Sequence, residues 1–339
     1  MLLKNENISE VYPSIFRIKV NLPNNPLKFI NAYLVKGDER SLLIDTAMNM
    51  ESCYIELSSA LDEIGVDREK LDLFITHIHA DHIGLIDRFI KKSKVYMSDT
   101  EHNVVVEAIK HPDYWHSMNN FLVINGMPKS ILDGALKYLD QVYLQTYPSM
   151  ENDLLKNFKS IKDNEEIKYG DFEFQGILTP GHSPGHMCLY DKKNKIIFLG
   201  DHVLFGITPN ITWWPNMPNS LRYYIESLNR VYDLDINFAF PGHGEPGKSI
   251  KKRIEAIKKH HQERFKEIMD ALESSPKTAY QVASEIKWNI RFDAWESFPK
   301  TQKYFALGET ISHLLYLEEI KKIKSEFKDG KIIFKLNEF

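Results

Sequence analysis

Short apolar runs separated by polar turns fill the first part of the chain. Val11 to Val20 alternates imperfectly between apolar and polar positions, and Pro23-Asn24-Asn25-Pro26 ends it as a turn. Phe29-Ile30-Asn31-Ala32-Tyr33-Leu34-Val35 is a second run and Ser41-Leu42-Leu43-Ile44 a third, joined tightly by Lys36 to Arg40. Consecutive short strands with small turns predict a meander. The period then changes. Tyr54, Leu57, Leu61 and Ile64 fall at helical spacing from Met50 and stop at Gly65, which predicts a helix packed on a sheet. Leu71 to Thr76 is short, apolar and bounded, and reads as a buried strand. A helix is expected from Leu85 to Ile90 and a strand over Val95-Tyr96-Met97. This order suits a layered α/β domain.

Residues 100–160 break the pattern. Glu101 to Lys110, Pro128 to Tyr143 and Glu151 to Asn157 are polar-rich with helical spacing, so the stretch reads as a helical insertion able to cover a site. Strands return over Phe172 to Leu178, Met187 to Tyr190, Lys195 to Leu199 and Ile236 to Phe240, with an amphipathic helix from Ser220, as its cap, to Tyr232. Beyond residue 250 the spacing predicts helices over Ile250 to Leu272, Thr278 to Ile286 and Phe305 to Leu317. A hairpin over Ile320 to Phe334 turns at Asp329-Gly330. Two domains are expected, 1–250 and 251–339.

The chemistry gathers at strand ends. Thr76-His77-Ile78-His79-Ala80-Asp81-His82-Ile83-Gly84 places three imidazoles and a carboxylate where a strand stops. Imidazole nitrogen and carboxylate oxygen suit zinc and its neighbours. In an extended segment His77 and His79 point the same way, and a turn at Ala80 brings Asp81 and His82 beside them. Thr179-Pro180-Gly181-His182-Ser183-Pro184-Gly185-His186 is a tightly specified turn with His182 as a candidate ligand and His186 as a supporting group. Gly200-Asp201-His202 and Pro241-Gly242-His243-Gly244 end two further strands and offer Asp201 and His243. Asp45 closes the Ser41 to Ile44 strand, either orienting a ligand or capping the next helix. His102, His111 and His116 are candidate substrate contacts, read first as solvated or packing histidines. Val203 to Pro218, with Phe205, Trp213 and Trp214, is either an apolar pocket wall or a packed loop.

Composition narrows the field. The 339 residues are 43% hydrophobic, enough for a full core. A net charge of -4 argues against a general nucleic-acid or membrane-surface role. Two cysteines, Cys53 and Cys188, exclude a disulfide framework and fit a reducing compartment. No window approaches a membrane span and the N-terminus lacks an apolar targeting core, so a cytoplasmic location is expected.

His77-x-His79-x-Asp81-His82, then His182, Asp201 and His243 in this order, resembles the metallo-β-lactamase superfamily over roughly residues 11–250. Asn31 to Val35, Thr179 to His186 and Gly200-Asp201-His202 are similar to the glyoxalase II-like hydrolases and their relatives with a C-terminal winged-helix-like domain. The resemblance implies a four-layer αββα sandwich with two divalent metal ions at one edge: zinc first, iron or manganese as alternatives. It implies His77, His79 and His182 around one metal, Asp81, His82 and His243 around the other, and Asp201 between them. Asp45 matches the family's strand-end aspartate, although Ala47 stands where a glycine is frequent. The implied activity is hydrolysis of a small ester, thioester or lactone by a metal-bridging hydroxide, with Asp81 orienting it and moving a proton. An iron persulfide dioxygenase and a nuclease of the same superfamily are the alternatives. The flavodiiron relatives carry glutamate at the position of His79, which disfavours oxygen reduction. The expected partner is a small-molecule substrate, and a homo-oligomer is compatible with the chain. The helix Ala306 to Glu319 holds no Lys or Arg, and residues 251–339 carry 18 Lys+Arg against 14 Asp+Glu, so nucleic acid is disfavoured. Trp288, Phe292, Trp295 and Phe298 are expected either to pack this segment on the metal domain or to line the entry.

Overall fold

The computed structural model describes residues 5–89, 93–111, 114–146, 157–247, 249–289, 292 and 294–337. Two sheets face each other. The first runs β1 (Ile8–Tyr12), β2 (Ile15–Asn21), β3 (Phe29–Val35), β4 (Ser41–Ile44), β5 (Leu71–Phe74), β6 (Val95–Met97) and β7 (Phe158–Ser160), side by side in chain order. Its first four strands pair antiparallel and β4 to β7 pair parallel. The second contains β8 (Glu166–Tyr169), β9 (Phe172–Leu178), β10 (Met187–Asp191), β11 (Ile196–Gly200) and β12 (Phe238–Pro241).

Strand periodicity builds the layers. In β3, Ile30, Ala32 and Leu34 join the core under the helices, while Tyr33 and Val35 join the core between the sheets. Likewise β11 sends Ile196 and Phe198 inward but Ile197 and Leu199 to the opposite helical layer. Both faces are covered, which explains why these strands read as continuous apolar runs. Tyr33, Phe198, Phe174 and Phe240 pack between the sheets with ring centroids 5.2 to 5.7 Å apart. Outside the first sheet lies α1 (Glu51–Ile64), through Cys53, Leu57 and Leu61. The fold is therefore the expected αββα sandwich.

Around the histidine-rich motif the chain forms two single turns, α2 (Ala80–Ile83) and α3 (Ile86–Phe89), in place of one helix starting at Leu85. The insertion supplies α4 (Asp99–Lys110), α5 (Tyr114–Ile124) and α6 (Lys129–Thr146). The helix expected over Glu151 to Asn157 lies almost wholly outside the described residues. Next come α7 (Ser220–Tyr232) and α8 (Ile250–Glu273) on the outer face of the second sheet. Ser220 is not the cap of α7. The Asn219 side chain accepts from the Arg222 amide, and Ser220 is buried against Ser312 at 3.0 Å. The imperfect alternation over Val11 to Val20 has a simple cause: it is two strands joined at Pro13-Ser14, with Ser14 at φ 63°.

The C-terminal segment contains α9 (Ala279–Glu285), α10 (Lys300–Glu319) and the hairpin β13 (Ile323–Lys328) and β14 (Lys331–Leu336). Helix α10 starts at Lys300, upstream of the Phe305 expected from its apolar spacing. Ile254 and Ile257 of α8 pack on the sandwich, whereas Ile268 and Leu272 pack with α9 and α10. Leu122, Met127 and Leu132 of the insertion share that second core. Insertion and C-terminal segment thus stand on one another. No helix among the described residues is long and apolar enough to cross a membrane.

Candidate metal centre

Four strand ends meet at one edge of the sandwich. After β5, Ile78 is buried in the helix-side core, which sends His77 and His79 the other way. The single turn α2 then lifts Asp81 and His82 beside them. His182 follows β9, Asp201 follows β11 and His243 follows β12. The flanking glycines are steric necessities. A Cβ at Gly242 would lie 2.7 Å from Asp201 Oδ1 and 2.8 Å from His82 Cε1. One at Gly200, which adopts φ +47°, would lie 2.6 Å from Thr76 Oγ1.

All seven side chains converge. The ligand atoms of His77, His79 and His182 lie within 4.8 Å of one another, as do those of His77, His82 and Asp201, and those of Asp81, His82 and His243. His77 Nε2 and His79 Nδ1 are 3.0 Å apart, and His82 Nε2 and His243 Nε2 are 3.3 Å apart. Asp201 lies between the groups, at 3.5 Å from His82, 3.6 Å from His243 and 3.7 Å from His182. Five of the seven are buried; His79 and Asp81 are partly exposed and mark the side open to solvent.

The outer nitrogens fix how these rings are used. His82 Nδ1 donates to Asp45 Oδ2 at 2.8 Å, His182 Nδ1 to the Asn210 carbonyl at 2.9 Å, and His243 Nδ1 to the Phe29 carbonyl at 2.8 Å. His77 Nδ1 meets Thr76 Oγ1 at 3.0 Å, and that hydroxyl has Asp45 as its acceptor at 2.8 Å, so the ring donates here too. Each of these four rings therefore turns Nε2 inward. Ring nitrogens facing one another at about 3 Å need a proton or a cation between them. His182 Nε2 and Asp201 Oδ1 are buried without a hydrogen-bond partner. This donor set fits divalent cations.

Electrostatics agrees. Burial, then neighbouring imidazoles, holds His77 well below the usual imidazole value and His79 down at about 3. His182 is lowered mainly by burial. Burial works against the Asp81 and Asp201 carboxylates, yet the adjacent His243 and His82 hold both well below the usual range. For His82, Asp45 and Asp201 outweigh burial and raise it; for His243, Asp201 and Asp81 do so. The acidic pair draws positive charge to this point.

Asp45 takes the orienting role and not the helix cap: α1 is capped at Met50 with no side-chain bond. Asp45 also accepts from the Thr76 amide at 2.8 Å. His186 contacts Thr179 Oγ1 at 2.8 Å and accepts from the Asp201 amide at 3.2 Å, which orients Asp201. His202 is buried edge-on to Tyr224 and belongs to none of the three groups. His102 stacks on Phe158 at 3.6 Å and exposed His111 lies by Glu107, so neither joins the site. The His116 side chain is outside the described residues. Trp214 is buried in the helix-side core, its ring 6.2 Å from that of His79, and it donates to the His182 carbonyl. Trp213 instead stacks on Phe121 of the insertion. Trp288, Trp295 and Phe298 pack among residues of the C-terminal segment, and exposed Phe292 lies against Phe298. Trp288 and Phe298 line a cavity of about 460 Å³ that includes Asn210. A larger one, about 960 Å³, opens at the opposite ends of β4 and β5 around the Arg40–Asp72 pair, away from this chemistry.

Two groups, one buried and one half-buried, had no clear sequence signal. Glu101 accepts from the Ile78 amide at 3.0 Å, from Ser183 Oγ at 2.5 Å and from the Gly185 amide at 2.7 Å. Its Ser98-x-x-Glu101 spacing announces only a helix start. Asn210 is the second.

Comparisons with known proteins agree with this geometry. A probable metallo-hydrolase of Bacillus subtilis, YqjP, is 26% identical over 311 residues, covering 89% of this chain and 92% of its own. The human protein named acyl-coenzyme A thioesterase MBLAC2 is 26% identical over 225 residues, covering 63% of this chain and 72% of its own. The crystal structure of a metallo-beta-lactamase family protein from Thermus thermophilus superposes with a TM-score of 0.81 at 24% identity, covering 97% of this chain and 100% of that one. The family model for the metallo-beta-lactamase superfamily matches residues 25–243, a span that contains every one of the converging side chains. Strand order, layering and that match together place the chain in the metallo-beta-lactamase superfamily, to which it belongs.

Proposed function

We propose that the chain is a dinuclear metal-dependent hydrolase cleaving a small carbonyl ester, with a thioester first and a lactone or oxygen ester next. The observation that carries this reading is the set of four imidazoles with outward-donating Nδ1 and inward Nε2. His77, His79 and His182 would hold one cation, Asp81, His82 and His243 the other, and Asp201 would touch both. A bound pair of divalent cations supplies hydroxide at neutral pH and stabilises charge on a carbonyl oxygen. The chain's own groups set the rest. Asp81 sits on the open side with its carboxyl held ionised, 3.3 Å from His243 Nε2. From there it would orient the attacking hydroxide and pass a proton toward the leaving group. The human relative, named as an acyl-coenzyme A thioesterase, supports the thioester preference.

Helix α10, the candidate for reading a base, buries Ala306, Leu307, Ile311, Leu314 and Leu317 and packs on the insertion. That burial supports a structural role for the segment. The test is purified protein with metals quantified, assayed on acyl-coenzyme A thioesters, lactones, phosphodiesters and β-lactams. Thioester hydrolysis abolished by a chelator is expected. Turnover confined to phosphodiesters, or oxygen consumption without hydrolysis, overturns the reading.

A further inference from the structure

Glu101 is fully buried at the N-terminal end of α4, outside the strand ends that carry the site. Its two oxygens face different loops. Oε2 accepts from the amide of Ile78, which lies between His77 and His79. Oε1 accepts from Ser183 and Gly185, next to His182. The contact continues through Ser98, whose hydroxyl donates to the Gly185 carbonyl at 2.7 Å. Gly185 admits this approach because it has no side chain: a Cβ there would lie 2.4 Å from Ser98 Oγ and 2.8 Å from the Glu101 amide.

We propose that Glu101 is a positioning residue: one carboxylate from the insertion sets the spacing between the His77–His79 loop and the His182 loop, and hence the convergence of those three imidazoles. The inference rests on the metal-site reading above and adds to it a reason for the insertion to begin where it does. Helix α4 spans Asp99–Lys110, and Ser98 caps it by accepting from the Glu101 amide at 3.2 Å. Both loops are therefore registered to a third element as well as to each other.

Cobalt(II) titration of the metal-stripped full chain, followed by absorption, tests this. Wild type should show two classes of site. In Glu101→Gln one of the two oxygens becomes an amide nitrogen, so one loop meets a donor where it needs an acceptor. The affinity of the three-histidine class should fall about 10- to 100-fold while the other class is unchanged. If Glu101→Gln does not fold, Ser183→Ala removes one donor to Oε1 and should give a smaller weakening of the same class. An unchanged isotherm, or equal weakening of both classes, overturns the inference. A wild-type chain that binds no cobalt overturns the metal-site reading itself.

Discussion

Asp45 and His82 are joined by one hydrogen bond, Nδ1 to Oδ2 at 2.8 Å, and the same carboxylate holds the Thr76 amide and hydroxyl. One side chain thereby orients His82 directly and His77 through Thr76. Asp45 adopts φ 58°, a conformation that Asn and Asp tolerate better than other side chains. Asp45→Asn should therefore keep the backbone unstrained but lose one acceptor oxygen. Metal affinity should fall about 10- to 100-fold, read by chelator competition. Full retention would show that His82 needs no such partner.

Asp81→Asn removes a negative charge and a proton acceptor at the open side. Turnover should fall about 10²- to 10⁴-fold if Asp81 moves a proton. Metal content must be measured in the same sample. Undiminished turnover at full metal content rules that role out.

Gly242→Ala is a steric test without backbone strain, since its φ is not positive. The new Cβ would press on Asp201 and His82. Overpacking here should cost about 1–3 kcal/mol and reduce metal content, while the far-ultraviolet circular dichroism stays native. A variant with wild-type stability and metal content would contradict the tight geometry.

Asn210 ties the C-terminal segment to the site. Its carbonyl receives His182 Nδ1, and its side chain donates to Glu309 Oε2 at 3.0 Å. Glu309→Ala should weaken cation binding about tenfold, at the low end for an outer partner. Glu309→Gln keeps an acceptor and should bind like wild type. Equal affinities for Ala and wild type would uncouple the segment from His182.

Acidification should empty the two groups unequally. Protons compete with a cation wherever the imidazole is protonated, so a lowered value protects and a raised value exposes. His77, His79 and His182 are lowered by burial first; His82 and His243 are raised because Asp45, Asp201 and Asp81 outweigh burial. As pH falls, the His82–His243 group should lose its cation first. Metal content measured along a descending pH series checks the order, and simultaneous loss contradicts it.

Much of this site was legible because it is written locally. His77, His79, Asp81 and His82 fall within six positions, and His182, Asp201 and His243 each follow a short apolar strand with an adjacent glycine. The layers followed from strand period for the same reason. What stayed hidden is carried by long-range contacts. Glu101 meets partners 23, 82 and 84 positions away, and nothing in its neighbourhood distinguishes it from an ordinary first-turn glutamate. The core shared by Leu122, Leu132, Leu307 and Leu314 is likewise invisible to periodicity, which shows that a face is apolar but not what covers it. The cap of α7 shifted by one residue because Asn219 and Ser220 are both good capping types.

The most direct measurement is anomalous diffraction from crystals of the zinc-loaded chain. The account predicts two peaks about 3.5–4 Å apart, one against His77, His79 and His182, the other against Asp81, His82 and His243, with Asp201 touching both. No peak at these residues, or a single ion bound elsewhere, would contradict it.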